Sequence, residues 1–313
     1  MRFIITTFLI CLLSLKLSAQ FNSLNLKIKN DPASIQESTL KKLRLYPIYA
    51  NNHFKEEFKD IEKFTSLDKA IFNNKIKLTE INQSGSVNTL LAENISKEPI
   101  YLLAGEVVKG GKQDRVIGQD MIINPGEVKN IDAFCVEHGR WQEKESGINF
   151  DGYMSISSPS VRKAALLNKN QTEVWEKVAE VTKVNQADTE TGTYTELENS
   201  EYYTKELNKY MTVFNSVWNS NSNVVGVIAV TADRIIGCDI FATHDLFTNS
   251  YNNLLTSYIT EAITHGDTVT ISNNKVQLYL DAFLADESKQ EEVLEKDGAI
   301  FKNNGKKVHL SRF

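Results

Sequence analysis

Ionisable and polar side chains are crowded into residues 101–141, within sequence that otherwise favours β-strands. The crowded groups are Glu106, Lys109, Lys112, Gln113, Asp114, Arg115, Glu137, His138 and Arg140. Ionisable groups crowded at strand ends shift one another's pKa, which is typical of functional sites. We therefore predict a binding site for a polar or anionic ligand, formed by Glu106, Lys109, Gln113, Asp114, Arg115, Glu137, Arg140 and Trp141.

A predicted strand over residues 99–108 positions the first of these groups. Side chains alternate along a strand with a period of two, so one face carries Ile100, Leu102, Ala104, Glu106 and Val108. This arrangement places a carboxylate among apolar neighbours. We expect Glu106 to need a partner, because a buried charge is costly unless it is paired.

A tight turn positions the arginine. The sequence Asn124-Pro125-Gly126-Glu127 predicts a hairpin between residues 117–123 and 128–136. Folding the chain about this turn lays residues 113–115 alongside residues 136–138, to within one or two residues in register. Arg115 is then a candidate partner of Glu106 or Glu137, either in a purely structural pair or in a site that meets a ligand.

Three functions are compatible with this cluster. In a binding module, Arg115, Lys109 and Lys112 contact the ligand, and Glu106 and Glu137 orient these cations. In a hydrolase, Glu106 or Glu137 is the general base and Arg115 stabilises developing negative charge. In a structural or protein-interaction module, the charges only pair with one another. We favour the binding module, because no diagnostic spacing supports the hydrolase.

No complete catalytic triad, phosphate-binding loop or metal-ligand spacing can be found in the sequence, and we predict neither a metal nor another cofactor. A Cys135–His138 nucleophile is disfavoured, because residues three apart on one strand point to opposite faces. Cys135 and Cys238 either form a single bridge or stay unpaired. We favour the unpaired state, because both lie in strand-like sequence where a buried cysteine behaves as a small hydrophobe.

Composition limits the class of partner. The 313 residues carry a formal net charge of −5, with 41% hydrophobic and 24% charged residues, as in an ordinary globular protein. There is no long run of basic residues, so the electrostatic signature of nucleic-acid binding is missing and no nucleic-acid partner is expected.

The first 19 residues have the organisation of a secretory signal. Arg2 supplies the positive charge, an apolar run follows over residues 3–15, and small residues precede Ala19. The run is shorter than the roughly 20 residues that span a bilayer, so we expect cleavage near Ala19 rather than a transmembrane segment. The predicted location is periplasmic or extracellular.

The rest of the chain predicts an α+β fold, because strands and helices are segregated rather than regularly alternating. We expect an antiparallel, β-rich N-terminal half built of hairpins, packed with a helical C-terminal half that ends in a β-hairpin. After the signal, residues 20–42 form an N-terminal segment and residues 43–313 one domain, with a β-rich core at 75–141 and a helix-rich part at 159–313. Residues 185–195 are predicted to be a linker or mobile loop.

One octapeptide pattern occurs twice. Residues 114–121, DRVIGQDM, resemble residues 233–240, DRIIGCDI, but the flanking sequences do not match. We favour chance recurrence of a strand pattern. The alternative is a duplication that brings two Asp-Arg pairs to one pseudo-symmetric pocket.

Four segments in order, TSLDKAI, KIKLTE, AGEVVKGGKQDR and AFCVEHGRW, carry a family resemblance. The chain resembles the ARG and rhodanese-phosphatase-superfamily-associated protein domain family from about Leu43 to the terminal VHLSRF. The matching positions include Gly105-Glu106, Gly110, residues 113–115 and residues 135–141. The resemblance implies at most a link to nucleotide-sugar or phosphoester metabolism, which would be the substrate class of the hydrolase alternative.

Overall fold

The structure, a computed structural model, describes residues 21–29, 31–82, 86, 88–143 and 147–313. The predicted signal segment, residues 1–19, lies outside the described residues. Within the described ranges, no helix combines the length and the apolar character needed to cross a bilayer.

The described residues form 16 strands, nine α-helices and one 3-10 helix. The strands are β1 Leu26–Ile28, β2 Thr39–Leu40, β3 Leu43–Ala50, β4 Thr65–Ser66, β5 Ile76–Glu80, β6 Thr89–Asn94, β7 Ile100–Leu102, β8 Glu106–Gly110, β9 Arg115–Ile117, β10 Met121–Ile123, β11 Val128–Cys135, β12 Phe150–Ile156, β13 Val224–Thr231, β14 Arg234–Phe241, β15 Gly298–Asn303 and β16 Lys306–Arg312. The helices are α1 Pro32–Glu37, α2 Asn52–Glu57, α3 Leu67–Phe72, α4 Pro159–Leu166, α5 Gln171–Val184, α6 Glu201–Phe214, α7 His244–His265, α8 Asn273–Leu284 and α9 Glu287–Asp297, with the 3-10 helix at Tyr194–Asn199.

The predicted fold class is confirmed. The N-terminal half is rich in antiparallel strands, the C-terminal half is rich in helices, and the chain ends in the hairpin β15–β16. The turn of that hairpin contains Asn304 and Gly305, both with positive φ, as an Asn-Gly turn requires.

The largest sheet takes strands from both ends of the chain, in the order β1-β3-β13-β14-β16-β15, with β2 pairing with β3. Its central strand, β13, has the sequence VVGVIAVT and is buried at every position. A continuous run of β-branched residues is typical of a strand covered on both faces. The long helix α7 packs on β13 and β14 and covers part of this sheet.

A second sheet of six strands, in the order β12-β8-β9-β11-β6-β5, closes on itself. The closure is made by a bridge between Thr79 and Asn149 and by the Glu80 amide, which donates to the Ile148 carbonyl at 2.9 Å. Inward-facing apolar side chains fill this barrel, including Leu78, Leu90 and Ile131.

A third sheet, β10-β7-β4, changes the predicted hairpin. The turn at Pro125-Gly126 forms as expected, with Gly126 at φ 72°. However, β10 pairs with β7, whereas β11 pairs with β6 and β9, so the two arms of the turn lie in different sheets. The chain leaves the barrel after β9 because Asp120 is bound elsewhere, by the Ala104 amide and by His309.

Candidate functional site

Arg115 lies at one end of the barrel interior, where it is fully buried beside Glu80. Its Nη2 contacts Glu80 Oε1 at 3.2 Å, and its Nη1 donates to the Gln113 carbonyl at 2.9 Å. Both partners of the ion pair have no exposed side-chain surface. The predicted pairing of Arg115 with Glu106 or Glu137 is therefore wrong, because Glu80 on the inner face of β5 reaches the guanidinium first.

The predicted proximity of residues 113–115 to this part of the chain is confirmed, and the register differs by one residue from the expected pairing with residues 136–138. Arg115 lies opposite Cys135, and the Val136 amide donates to the Asp114 carbonyl at 2.9 Å. Residues 113–115 thus lie alongside residues 135–137 even though the turn at 125–126 joins two different sheets.

Asp114 binds the segment that follows α5. One carboxylate oxygen accepts from the Gly110 amide at 3.0 Å, and the other accepts from the hydroxyls of Thr193 at 3.0 Å and Thr195 at 2.8 Å. The prediction that residues 185–195 are a linker is therefore wrong. Asn185 is also buried there, so both ends of this segment are bonded to the fold.

Arg140 connects Glu137 to the turn that contains Gly110 and Gly111. Its Nη2 contacts Glu137 Oε2 at 2.6 Å and lies 3.6 Å from Asp114 Oδ1, and its Nη1 donates to the Gly111 carbonyl at 2.8 Å. Gly111 has φ 49°, and a Cβ there would clash with the Phe150 ring, so the turn requires glycine on both counts.

Trp141 covers the outer side of Arg115. The guanidinium carbon of Arg115 and the ammonium of Lys112 each lie 5.7 Å from the centre of the Trp141 ring system, within cation–π range. The Trp141 side chain keeps 43% of its surface exposed. It is therefore the part of this group that is most open to solvent.

We call this group the barrel-end cluster: Glu80, Lys112, Gln113, Asp114, Arg115, Glu137, Arg140, Trp141, Thr193 and Thr195. Five of the other predicted site residues join Arg115 there, namely Gln113, Asp114, Glu137, Arg140 and Trp141. Lys109 does not join them, since it pairs with Glu198 at 2.8 Å.

Glu106 lies apart from the cluster, in a different set of hydrogen bonds. Its Oε2 accepts from the Leu103 amide at 2.8 Å, and its Oε1 is 3.0 Å from the Tyr153 hydroxyl, which donates to it. Burial raises the pKa of Glu106 well above its ordinary value, and nearby Asp68 adds to the effect. The partners of Glu106 are thus a backbone amide and a tyrosine hydroxyl, rather than the cation that the sequence predicted.

Neither cysteine offers a reactive thiolate. Cys135 and Cys238 are both buried and are not joined in a disulfide, as favoured from the sequence. Burial raises the pKa of Cys135 to about 11, so the thiol is protonated at neutral pH. Within the residues that the structure describes, no group of three or more His, Cys, Asp or Glu side chains is arranged to hold a metal ion.

A second buried group of charges, which sequence reasoning missed, connects the large sheet to the other two. Arg162 of α4 forms a two-pronged pair with Asp239 of β14, at 3.1 and 2.9 Å, and its Nε donates to the Ala104 carbonyl at 3.2 Å. Tyr258 of α7 donates its hydroxyl to the same Asp239 carboxylate. A Cβ at Gly105 would clash with the Arg162 side chain, so a glycine is needed where the two meet.

His309 of β16 lies between two carboxylates of this group. Its Nδ1 is 2.6 Å from Asp120 Oδ2, and its Nε2 is 3.0 Å from Asp239 Oδ1. Burial alone would lower the pKa of His309, but Asp120 and Asp239 outweigh it and raise the pKa to about 9. Burial likewise opposes ionisation of Asp239, yet Arg162 and His309 hold its pKa below the ordinary range. The imidazole is therefore a cation that bridges two anions.

We call Asp120, Arg162, Asp239, Tyr258 and His309 the inter-sheet network. Asp120 and Asp239 occupy equivalent positions in the repeated octapeptide, and both meet on His309. The two Asp-Arg pairs of the repeat do not meet, because Arg115 is inside the barrel and Arg234 instead donates to the His265 carbonyl.

The residues missed in the barrel-end cluster differ in how well the sequence marks them. Glu80 follows Ile76 and Leu78 on the buried face of β5, which is the same signal that marked Glu106. Thr193 and Thr195 have no such signal, since they lie outside any strand. His309 alternates with Val308 and Leu310 in a strand that is buried at all three positions, so no polar-face pattern marks it.

A family model described as "ARG and Rhodanese-Phosphatase-superfamily-associated Protein domain" matches residues 34–311, beginning slightly before the expected start. No curated protein matches the chain. No solved structure matches it either.

Proposed function

The chain belongs to the ARG and Rhodanese-Phosphatase-superfamily-associated Protein domain family, and we propose that it is an exported protein that binds a small polar ligand at the barrel-end cluster. Export is supported by the charge, apolar length and small-residue exit of residues 1–19. Mass spectrometry of the native protein should find an N-terminus near Gln20, and an intact Met1 in the exported fraction would contradict export.

One observation supports binding at the cluster. Four buried polar atoms of its side chains have no hydrogen-bond partner among the described residues: Glu80 Oε2, Gln113 Oε1, Arg115 Nε and Arg140 Nε. Buried polar groups are nearly always satisfied, so such atoms indicate water or a ligand. Two of the four are acceptors and two are donors, which fits a ligand that has both.

Charge narrows the class of ligand. The cluster contains three carboxylates, of Glu80, Asp114 and Glu137, and three cations, of Lys112, Arg115 and Arg140. These charges balance and are mostly paired with one another, so an anionic ligand would find no unpaired cation to bind. An uncharged polar ligand, covered on its outer side by Trp141, fits this balance better than the anionic ligand that the sequence allowed.

The hydrolase alternative lacks the convergence that it needs. Glu106 contacts Leu103 and Tyr153, whereas Arg115 contacts Glu80 and Glu137 contacts Arg140. A general base and a cation that stabilises the transition state must face one reacting group. The three residues named for hydrolysis have separate partners, and binding is the function that we propose.

The test uses the indole N–H signals of the three tryptophans in a proton–nitrogen correlation spectrum. Nucleosides and small amides should shift the Trp141 signal in a saturable way, whereas inorganic phosphate and sulfate should not. Trp141→Ala should abolish the thermal stabilisation that these compounds give. Tyr202→Ala is the matched control, because Tyr202 is 40% exposed and lies on α6 outside the cluster.

Two results would contradict the proposal. A Trp141 signal that none of the neutral probes moves would leave the cluster with a structural role only. Equal binding by the wild type and by Trp141→Ala would show that the ligand binds outside the cluster.

A further inference from the structure

A cavity of about 420 Å³ lies on the other side of the same strand end, between α5 and the segment before the 3-10 helix. Its volume is within the ~300–1,000 Å³ typical of small-molecule sites. The α5 side chains that line it are Thr172, Trp175, Glu176 and Ala179, which share one helical face. The opposite wall is formed by His138, Gly139 and residues 189–192.

Two of the residues that line the cavity each carry a buried polar atom without a partner. Trp175 Nε1 and Thr189 Oγ1 form no hydrogen bond with any described residue. An indole N–H is a donor only, so Trp175 needs an acceptor, whereas the Thr189 hydroxyl can donate or accept. Leaving such atoms unsatisfied is unfavourable, because each has lost its hydrogen bond to water.

Neighbouring contacts fix the wall that lies opposite α5, so this wall cannot readily close on the two atoms. The Gly139 amide donates to the Thr191 carbonyl at 2.8 Å, and a Cβ at Gly139 would clash with Thr191 and Glu190. Thr193, just beyond the cavity, is bound to Asp114 of the barrel-end cluster. The wall formed by residues 138–139 and 189–192 is therefore held in place by its own backbone bond and by the neighbouring Thr193.

The lining selects against anions. Glu176 and Glu190 contribute two carboxylates, and the lining residues that the structure describes include neither lysine nor arginine. The His138 ring packs edge-on against Trp175, with 4.4 Å between ring centres, so one wall is aromatic. A ligand here must present an acceptor to Trp175, donors to the carboxylates and an apolar surface to the rings.

We propose that this cavity binds a neutral, polyhydroxylated molecule of the saccharide class. A hydroxyl group can accept from the Trp175 N–H and donate to a carboxylate at the same time, and the C–H face of a sugar ring packs on aromatic side chains. The site is separate from the barrel-end cluster, and its support comes from different atoms.

The experiment titrates the ¹⁵N-labelled full chain with glucose, N-acetylglucosamine and cellobiose, using choline and phosphate as charged comparisons. At least one of the neutral sugars should shift the Trp175 indole signal in a saturable way. The Thr189→Val variant keeps the side-chain shape and should raise the Kd about tenfold, the loss expected for one or two hydrogen bonds. Trp175→Phe removes the indole N–H and should also raise the Kd for the sugar, measured by calorimetry. The matched control is Trp218→Phe, which changes a buried tryptophan outside the cavity and should leave the Kd as in the wild type.

The two reporter signals keep the proposals apart. A shift of Trp141 alone would support the barrel-end site and overturn this one. A Trp175 signal that no sugar moves, or that choline moves and the sugars do not, would also overturn it. Unchanged sugar affinity in Thr189→Val, with the Trp141 and Trp218 signals intact as proof of folding, would have the same consequence.

Discussion

The barrel-end cluster and the inter-sheet network each bury an arginine against a carboxylate, but they differ in how completely their polar atoms are bonded. In the inter-sheet network, Arg162 uses its Nε and both of its terminal nitrogens, and Asp239 accepts from Arg162, His309 and Tyr258. In the barrel-end cluster, Arg115 pairs with Glu80 through one nitrogen, and its Nε has no partner among the described residues.

This difference distinguishes two uses of buried charge. A fully bonded network fixes the relative position of the elements that contribute to it, because any movement would expose an unpaired charge. A partly bonded one keeps donors and acceptors for another molecule. The inter-sheet network therefore holds the large sheet against the rest of the fold, and the barrel-end cluster is the better candidate for binding.

The largest expected effect comes from breaking the fully bonded network. Asp239→Asn removes the anion that Arg162 and His309 share, leaving two buried cations with one remaining carboxylate, that of Asp120. Breaking a buried ion pair costs about 3–5 kcal/mol, and we expect the upper end of that range. Urea denaturation measures the loss, and a loss below about 1 kcal/mol, as at a surface site, would show that the network does not hold the sheets together.

The corresponding change in the barrel-end cluster should cost less. Arg115→Ala leaves Glu80 buried without its cation, and we expect a loss of about 3 kcal/mol, at the lower end of the same range. A Glu80→Gln, Arg115→Met double variant, which removes both charges, should recover part of that stability. If Arg115→Ala is as costly as Asp239→Asn, the proposed difference between the two groups is wrong.

The most gradual effect is a dependence of stability on pH, to which His309 of the inter-sheet network should contribute. The pKa of His309 is about 9 in the fold and 6.5 without its partners. The folded state therefore binds more protons between these values, so stability is full below about pH 6.5 and falls as the pH rises through 9. The difference between the two pKa values corresponds to a loss of folding stability of about 3 kcal/mol at most. The full loss is reached only at alkaline pH.

Denaturation curves from pH 6.5 to 9 measure this slope. His309→Gln should be less stable than wild type at pH 6.5 but should lose less stability as the pH rises. An equal slope in both proteins would show that His309 is not the titrating group.

The sequence by itself determined the local features. The segregation of strand and helix patterns predicted the α+β fold and the final hairpin. The apolar neighbours of Glu106 predicted its burial, although the expected strand over residues 99–108 is divided into β7 and β8 by a turn at residues 104–105. The side-by-side position of residues 113–115 and the end of β11 was predictable to within one residue. These features depend on backbone preferences and on periods of two or 3.6 residues, which are written in consecutive positions.

Only the tertiary structure decided which buried charges meet. Glu80 reaches Arg115 because the barrel closes β5 against the start of β12, and His309 reaches Asp120 and Asp239 because three sheets meet beside α4. Thr193 and Thr195 belong to the cluster because α5 returns the chain to the strand end. Periodicity fixes the face on which a side chain lies, but the partner across that face depends on how separate sheets pack, which no local spacing in the sequence encodes.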